Sequence, residues 1–334
     1  MFSVFLPPDY AEADVKPSEL LERYRALLAV DVESTLKLVA TATLKSCPAC
    51  GSTDFAPAFE RYGLKYQACS RCGSLFVSPR PPADAIAAFY RDAESEQFWR
   101  SDLADGAVAE RQRRIFGPRL EWLDDAAIGY LDTRNTVIDV GTREPAFATA
   151  FARYERFARR VVVDDVLPAD WTSDDLERAA LAALPDGSFD AATVFETLDR
   201  AADVDGLMEG IRRILKPGGL LLATGILASG FDIQTLWDKA AALTPPDRLN
   251  VFTVEGWRHL ADRHGFEVLE LSTPGMFDVA AIAEAARHGL VEPPRAIAYL
   301  LNARDDDARV RFQEFLQSAL MSSFGRLALR RRVD

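Results

Sequence analysis

Cysteine is scarce in this chain of 334 residues: there are four, and all fall between positions 47 and 72. A secreted fold stapled by disulfides is usually smaller and denser in cysteine, so the chain reads as cytoplasmic. Histidine is scarcer still, with only His259, His264 and His288. Met1 to Asp14 holds acidic residues and two prolines, not a basic region followed by an apolar run, which argues against a targeting segment. The longest apolar stretch, near Leu220 to Leu227, is too short to span a bilayer, and no membrane span is expected. Positive charge is lacking too. A net charge of −12 leaves no basic footprint for general nucleic-acid binding and fits simple solubility. Against these absences, 49% of the residues are hydrophobic, enough for a large buried core and one medium α/β domain with accessories.

The four cysteines form two Cys-x-x-Cys-Gly units, Cys47 to Gly51 and Cys69 to Gly73, separated by eighteen residues. Each short turn can present two thiolates to one ion, and two such turns complete a tetrahedral zinc shell. Glycine after the second cysteine lets the backbone curl around sulfur. Phe55, Phe59, Tyr62 and Tyr66 between the pairs, and Leu75 to Val77 after them, read as short strands of a zinc ribbon. With all four positions filled by protein, such an ion is structural. Two disulfides or four free thiols are the alternative.

Four segments follow from the pattern. Residues 1–46 form a helical arm, with Pro17-Ser18 as a helix start and an apolar stripe through Leu20, Leu21, Tyr24, Leu27 and Leu28. Residues 47–82 are the ribbon and a stiff Pro-Arg-Pro-Pro linker, and 83–130 a helical connector. Residues 131–334 are an α/β domain. Within the domain, apolar runs at Thr136–Val140, Val161–Asp164, Phe189–Phe195, Leu220–Thr224 and Phe266–Leu271 alternate with helical stretches. Strands that are apolar throughout imply a mostly parallel sheet covered on both faces. Lys216-Pro-Gly-Gly219 reads as a structural turn. It precedes a strand and lacks the helix N-terminus that a phosphate loop requires.

In order along the chain stand Asp139-Val-Gly141, an acid at Asp164, Pro185-Asp-Gly-Ser-Phe-Asp190, Lys216-Pro-Gly-Gly219 and Gly265-Phe266. This series resembles the class I S-adenosylmethionine-dependent methyltransferases. The cysteine segment followed by Pro-Arg-Pro resembles a bacterial branch of them, some of whose members modify sugars or other small molecules in surface-glycan pathways. The resemblance implies a Rossmann-like seven-stranded sheet whose last, antiparallel strand spans Ser322–Arg330, preceded by a helical insertion at 278–320. It implies S-adenosylmethionine at Asp139, Gly141, Arg143 and Asp164, with Asp165 the rival for the ribose. On the acceptor side it implies Glu196, Asp199, Arg200, Arg248 and Asn250. Tyr90 and Trp99 either cap the adenosine or pack in a helical core.

The sequence departs from the family at recognisable points. The glycine-rich turn keeps only its first glycine, and Arg143, Glu144 and Pro145 follow. Where the family often has Glu-His, His-Leu-Asn and Ser-Ser-His, this chain has Asp199-Arg200, Arg248-Leu-Asn250 and Ser322-Ser-Phe324. Three functions are compatible with these residues. The first is methyl transfer to a saccharide or other small acceptor. The second is a catalytically inactive scaffold or binding subunit. The third is a nucleotide-sugar enzyme in which Arg143, Arg200 and Arg248 meet phosphates. Under any of the three readings the candidate protein partner is a second copy of the chain, as a homo-oligomer, or a glycan-pathway partner.

Overall fold

The computed structural model describes residues 11–104, 106–163, 167 and 171–333. Its strands are β1 (Phe55–Arg61), β2 (Leu64–Cys69), β3 (Leu75–Val77), β4 (Thr136–Val140), β5 (Arg159–Val163), β6 (Glu177–Arg178), β7 (Phe189–Phe195), β8 (Leu215–Ile226), β9 (Asn250–Val251), β10 (Phe266–Ser272) and β11 (Phe324–Arg331). They form two sheets.

The larger sheet has seven strands in the order β10-β11-β8-β7-β4-β5-β6. The five from β8 to β6 run parallel, and β11 lies antiparallel between β8 and β10. β7 is buried along its whole length, as a strand covered on both faces must be. The chain leaves β4 for β5 and β6 on one side, then returns to β7 on the other. The carboxyl ends of β4 and β7 therefore flank a topological switch point, where open α/β sheets bind their ligands. Val140 pairs with Val163, and the Gly141 N–H donates to the Val163 carbonyl at 2.7 Å, so β4 and β5 end level.

Local sequence explains the connecting helices. In Val204–Ile214 the Asp203 carboxylate accepts from Gly206 N–H, and Val204, Met208, Ile211 and Ile214 turn one apolar stripe onto the sheet. Lys216 to Gly219 differs from the expected free-standing turn. It is a bulge inside the long strand β8: Phe189 pairs with Leu215, but Ala191 already pairs with Leu220. Gly218 holds φ at +80°, and a Cβ on Gly219 would lie 2.8 Å from the Lys216 carbonyl. The two glycines let the loop fold back without breaking the ladder. After β10, three helices (Asp278–Arg287, Arg295–Ala303 and Asp306–Ser318) fill the segment read as an insertion before β11.

The smaller sheet has the order β1-β2-β3-β9. Its last strand is supplied from the far side of the chain: Leu75 pairs with Val251 and Phe76 with Asn250. The next helix, Val254–Arg263, is capped by Thr253, whose hydroxyl also donates to the Cys72 carbonyl at 2.5 Å. Arg263 donates to the carbonyls of Pro48 and Ala49. Trp257, Leu260 and Ala261 share a core with all four cysteines. The cysteine segment is thus packed onto the α/β unit. No helix among the described residues is long and apolar enough to cross a membrane.

Candidate functional site

Two sites emerge. In the first, the ligand atoms of Cys47, Cys50, Cys69 and Cys72 lie within 4.8 Å of one another, and all four residues are buried. The turns match: Gly51 N–H bonds the Cys47 carbonyl and Gly73 N–H the Cys69 carbonyl, each at 2.9 Å. Gly51 and Gly73 hold φ at +72° and +71°, the left-handed conformation the curl demands. The Cys47–Cys72 and Cys50–Cys69 sulfurs are 3.7 and 3.5 Å apart, and no disulfide joins them. A tetrahedral thiolate shell with metal–sulfur bonds of about 2.3 Å has edges of about 3.8 Å, so this donor set can ligate a metal ion.

The second is a cavity of about 370 Å³ at the carboxyl ends of β4 and β7. The turn after β4 supplies Thr142, Arg143 and Glu144, and the end of β7 supplies Phe195 and Glu196. The arm, the connector, the loop before β9 and the insertion close over it.

Arg143 does not project freely into this space. It pairs with Asp247, lies 3.6 Å from Glu96, and stacks 4.6 Å from the Trp99 ring centre. Tyr90 donates to the same Asp247 oxygen at 2.7 Å. Burial by itself would lower Arg143, but Asp247 and Glu96 outweigh it and keep the guanidinium firmly charged. Burial pushes Glu96 up to about 7 in spite of Arg143. Glu144 is gripped in the same way: Arg111 donates to both its oxygens, at 2.5 and 2.6 Å.

Glu196 is the second hub. It closes β7 in the left-handed region, with φ at 57°. For a residue with a Cβ that conformation costs on the order of 1–2 kcal/mol, and it is found chiefly at functional sites. Arg119 meets one carboxylate oxygen at 2.5 Å and Arg248 the other at 3.5 Å. Burial opposes ionisation, yet Arg119 and then Arg248 hold Glu196 well below the usual carboxylate range. Arg200, expected beside it, hydrogen-bonds the Glu196 carbonyl and the Thr197 hydroxyl and lines the cavity.

The remaining expected residues stand elsewhere. Asp139 is 1% exposed beneath the turn, where Thr193 donates to it at 2.5 Å and burial raises its pKa. Gly141 has φ at +84°, and a Cβ there would fall 2.5 Å from the Thr197 methyl, so its missing side chain makes room for Thr197. Asp199 is sealed, pushed up to about 7 by burial, and held by Arg248 at 3.3 Å and the Ile226 N–H at 2.9 Å. Asn250, expected on the acceptor side, is fully buried and bonds Arg80 and the carbonyls of Leu198 and Ala201. It fastens the small sheet to the crevice. Asp164 and Asp165 lie outside the described residues. His264 is buried against Asp205, and His288 is exposed beside Glu284.

Glu96, Arg111, Arg119, Asp232, Asp247 and Asp278, which build or line the cavity, carry no signal in the sequence. None belongs to a motif, and their partners lie far away along the chain.

In place and volume the crevice fits S-adenosylmethionine, since cofactor pockets run from about 300 Å³ upward. The residues that would hold it are Thr142, Arg143 and Glu144 of the turn after β4, with Phe147 and Phe195 as apolar wall. The departure from a glycine-rich turn is confined to the caged Arg143, Glu144 and Pro145.

A family model described as a methyltransferase domain matches residues 108–271. No curated protein matches the chain. Similar solved structures include Haemonchus contortus phosphoethanolamine N-methyltransferase 2, at 15% identity and a TM-score of 0.45, covering 78% of this chain and 63% of that one. Another is the geranyl diphosphate C-methyltransferase of Streptomyces coelicolor A3(2), at 13% identity and 0.43, covering 68% and 84%. The YcgJ protein of Bacillus subtilis is 17% identical with a TM-score of 0.40, covering 64% and 98%. The strand order, the single antiparallel strand β11 and the matched methyltransferase domain together give the α/β unit of this chain the class I methyltransferase fold.

Proposed function

We propose that this chain is an S-adenosylmethionine-dependent methyltransferase acting on a small-molecule acceptor, with structural zinc on its four cysteines. The observation that carries the reading is the ligand-sized cavity at the carboxyl ends of β4 and β7, roofed by segments from the arm and the insertion. The cofactor, when bound, supplies an electrophilic methyl group. The protein's share is then placement and exclusion of water, which carry much of the rate in such reactions. Gly141 and Arg143 are assigned to the donor side, with Asp164 or Asp165 at the ribose and Asp139 supporting the turn from below.

Glu196, Arg200 and Arg248 are assigned to the acceptor side. Nine basic against six acidic side chains line the cavity of a chain whose net charge is −12, which favours an acceptor carrying negative charge, such as an acidic or phosphorylated saccharide. The zinc reading rests on the four-sulfur geometry. By pairing β9 with β3 and bonding Tyr66 to the Arg248 carbonyl at 2.5 Å, the metal-bearing segment would brace the loop that brings Asp247 and Arg248 to the crevice.

Titration calorimetry with S-adenosylmethionine tests the reading. Saturable heat is expected. No heat, and no rise in melting temperature at millimolar cofactor, would remove it.

A second reading, a non-catalytic binding subunit, is favoured by the cage around Arg143. In that case the unaltered chain stays silent to the cofactor, and a double variant, Arg143→Gly with Pro145→Gly, gains binding.

A further inference from the structure

Asp232 is the first acid of the helix Phe231–Leu236, and Asp278 opens the insertion helix Asp278–Arg287. Neither belongs to a motif of the sequence, yet both line the crevice cavity. They are nearly sealed, at 6% and 1% exposure.

Their surroundings are unequal. Asp278 accepts three hydrogen bonds: from Gln313 Nε2 at 2.7 Å, Ser322 Oγ at 2.5 Å and the Ser323 N–H at 2.8 Å. Gln313 is itself fixed, donating to the Gly275 carbonyl at 2.9 Å and accepting from the Val279 N–H at 3.1 Å. Three donors thus converge on this one carboxylate and fix its position. Asp232 accepts the N–H of Ile233 at 2.8 Å, with Ser323 and Asp278 against it. A second carboxyl against it disfavours the charged form of Asp232. Burial, and next the charge of Asp278, push Asp232 up to about 7. A group near neutrality is well matched to proton exchange at the operating pH. Arg326 of β11 lines the same cavity, while Asp238 and Lys239 beyond the helix pair with each other near the surface.

Resting on the methyltransferase reading, we propose that Asp232, packed against the hydrogen-bonded carboxyl of Asp278, is the proton-exchanging group of the crevice and receives the hydroxyl or amine of the acceptor. As the acceptor atom forms its bond to the methyl carbon, with the carbon–sulfur electron pair leaving on sulfur, Asp232 in its ionised form gains the proton the acceptor sheds. Asp278 is a positioning residue that keeps Asp232 basic enough to do so. The insertion would then contribute chemistry as well as a wall, since Gln313 and Asp278 both stand on it.

Diazoacetamide esterifies carboxyl groups in their protonated form and so reads the proton directly. The full-length chain is treated at about pH 6 and about pH 9, either side of the value set for Asp232, and the esters are mapped by peptide mass spectrometry. Asp232 is expected to be the preferred site at the lower pH and to lose at least about tenfold of its labelling at the higher, in line with a group titrating between them. Asp278→Asn, by removing the like charge, moves that loss to lower pH, and Asp232→Asn abolishes the label. Absence of ester on Asp232 at the lower pH, or labelling independent of pH, overturns the proposal using the unaltered chain alone. Calorimetry with S-adenosylmethionine decides the methyl-donor reading separately, so the two can fail independently.

Discussion

Replacing Arg143 by methionine keeps most of the side chain's apolar length and removes only the cation that the cage was built around. The guanidinium pairs with Asp247, lies 3.6 Å from Glu96 and stacks on Trp99, and the three side chains Arg143, Asp247 and Glu96 are only 10%, 17% and 2% exposed. Removing one partner of a buried ion pair costs about 3–5 kcal/mol. A desolvated cation–π contact adds about 2 kcal/mol. The variant should therefore lose about 5–7 kcal/mol, a large part of a typical folding free energy of about 5–15 kcal/mol. The loss depends on pH. Asp247 lies below its ordinary pKa although burial opposes it, because Arg143 and Arg248 outweigh that burial. A depressed carboxyl contributes stability that is present above its unfolded value and lost as pH falls through the folded one. The gap between the parent and Arg143→Met should thus narrow as pH drops below about 4. Urea unfolding of Arg143→Met, Asp247→Asn and the double variant forms the cycle, and the double variant should be less destabilised than the sum of the singles. A single-variant loss under about 0.5 kcal/mol, or strict additivity, would refute the cage.

Gly141→Ala should destabilise by about 2–4 kcal/mol, from the left-handed backbone and the overlap with Thr197 together; adding Thr197→Ser should restore part of this in denaturant titrations, and no relief would mean that Thr197 does not cover the turn. Elemental analysis should find one zinc per chain, cobalt(II) should give a thiolate charge-transfer band that Cys69→Ser abolishes, and chelation should lower the melting temperature; a metal-free chain of equal stability with four reactive thiols would exclude the site. Asp232, Asp199 and Glu96 are all pushed up to about 7, chiefly by burial, so the folded chain holds protons that the unfolded chain sheds above about pH 4. Stability should accordingly fall as pH rises from about 4 to about 7, and Asp232→Asn should flatten that slope in unfolding curves taken at successive pH values.

The sequence by itself determined what depends on neighbours along the chain. The apolar runs at 136–140 and 189–195 could only be buried strands, the Cys-x-x-Cys-Gly turns carry their own geometry, and Gly141 marks a backbone that must turn left-handed after β4. Even so, Lys216 to Gly219 was legible as a reversal but not as a bulge within β8, because that depends on which residues of β7 it faces. Tertiary structure alone decided the crevice. Arg119 reaches Glu196 across 77 positions, Arg143 reaches Asp247 across 104, and the Ser322 hydroxyl reaches Asp278 across 44. No periodicity or spacing records such pairs. Each exists because strand order brings two distant loops to the same sheet edge, and because a charge taken out of water there must find its partner wherever the fold has put one.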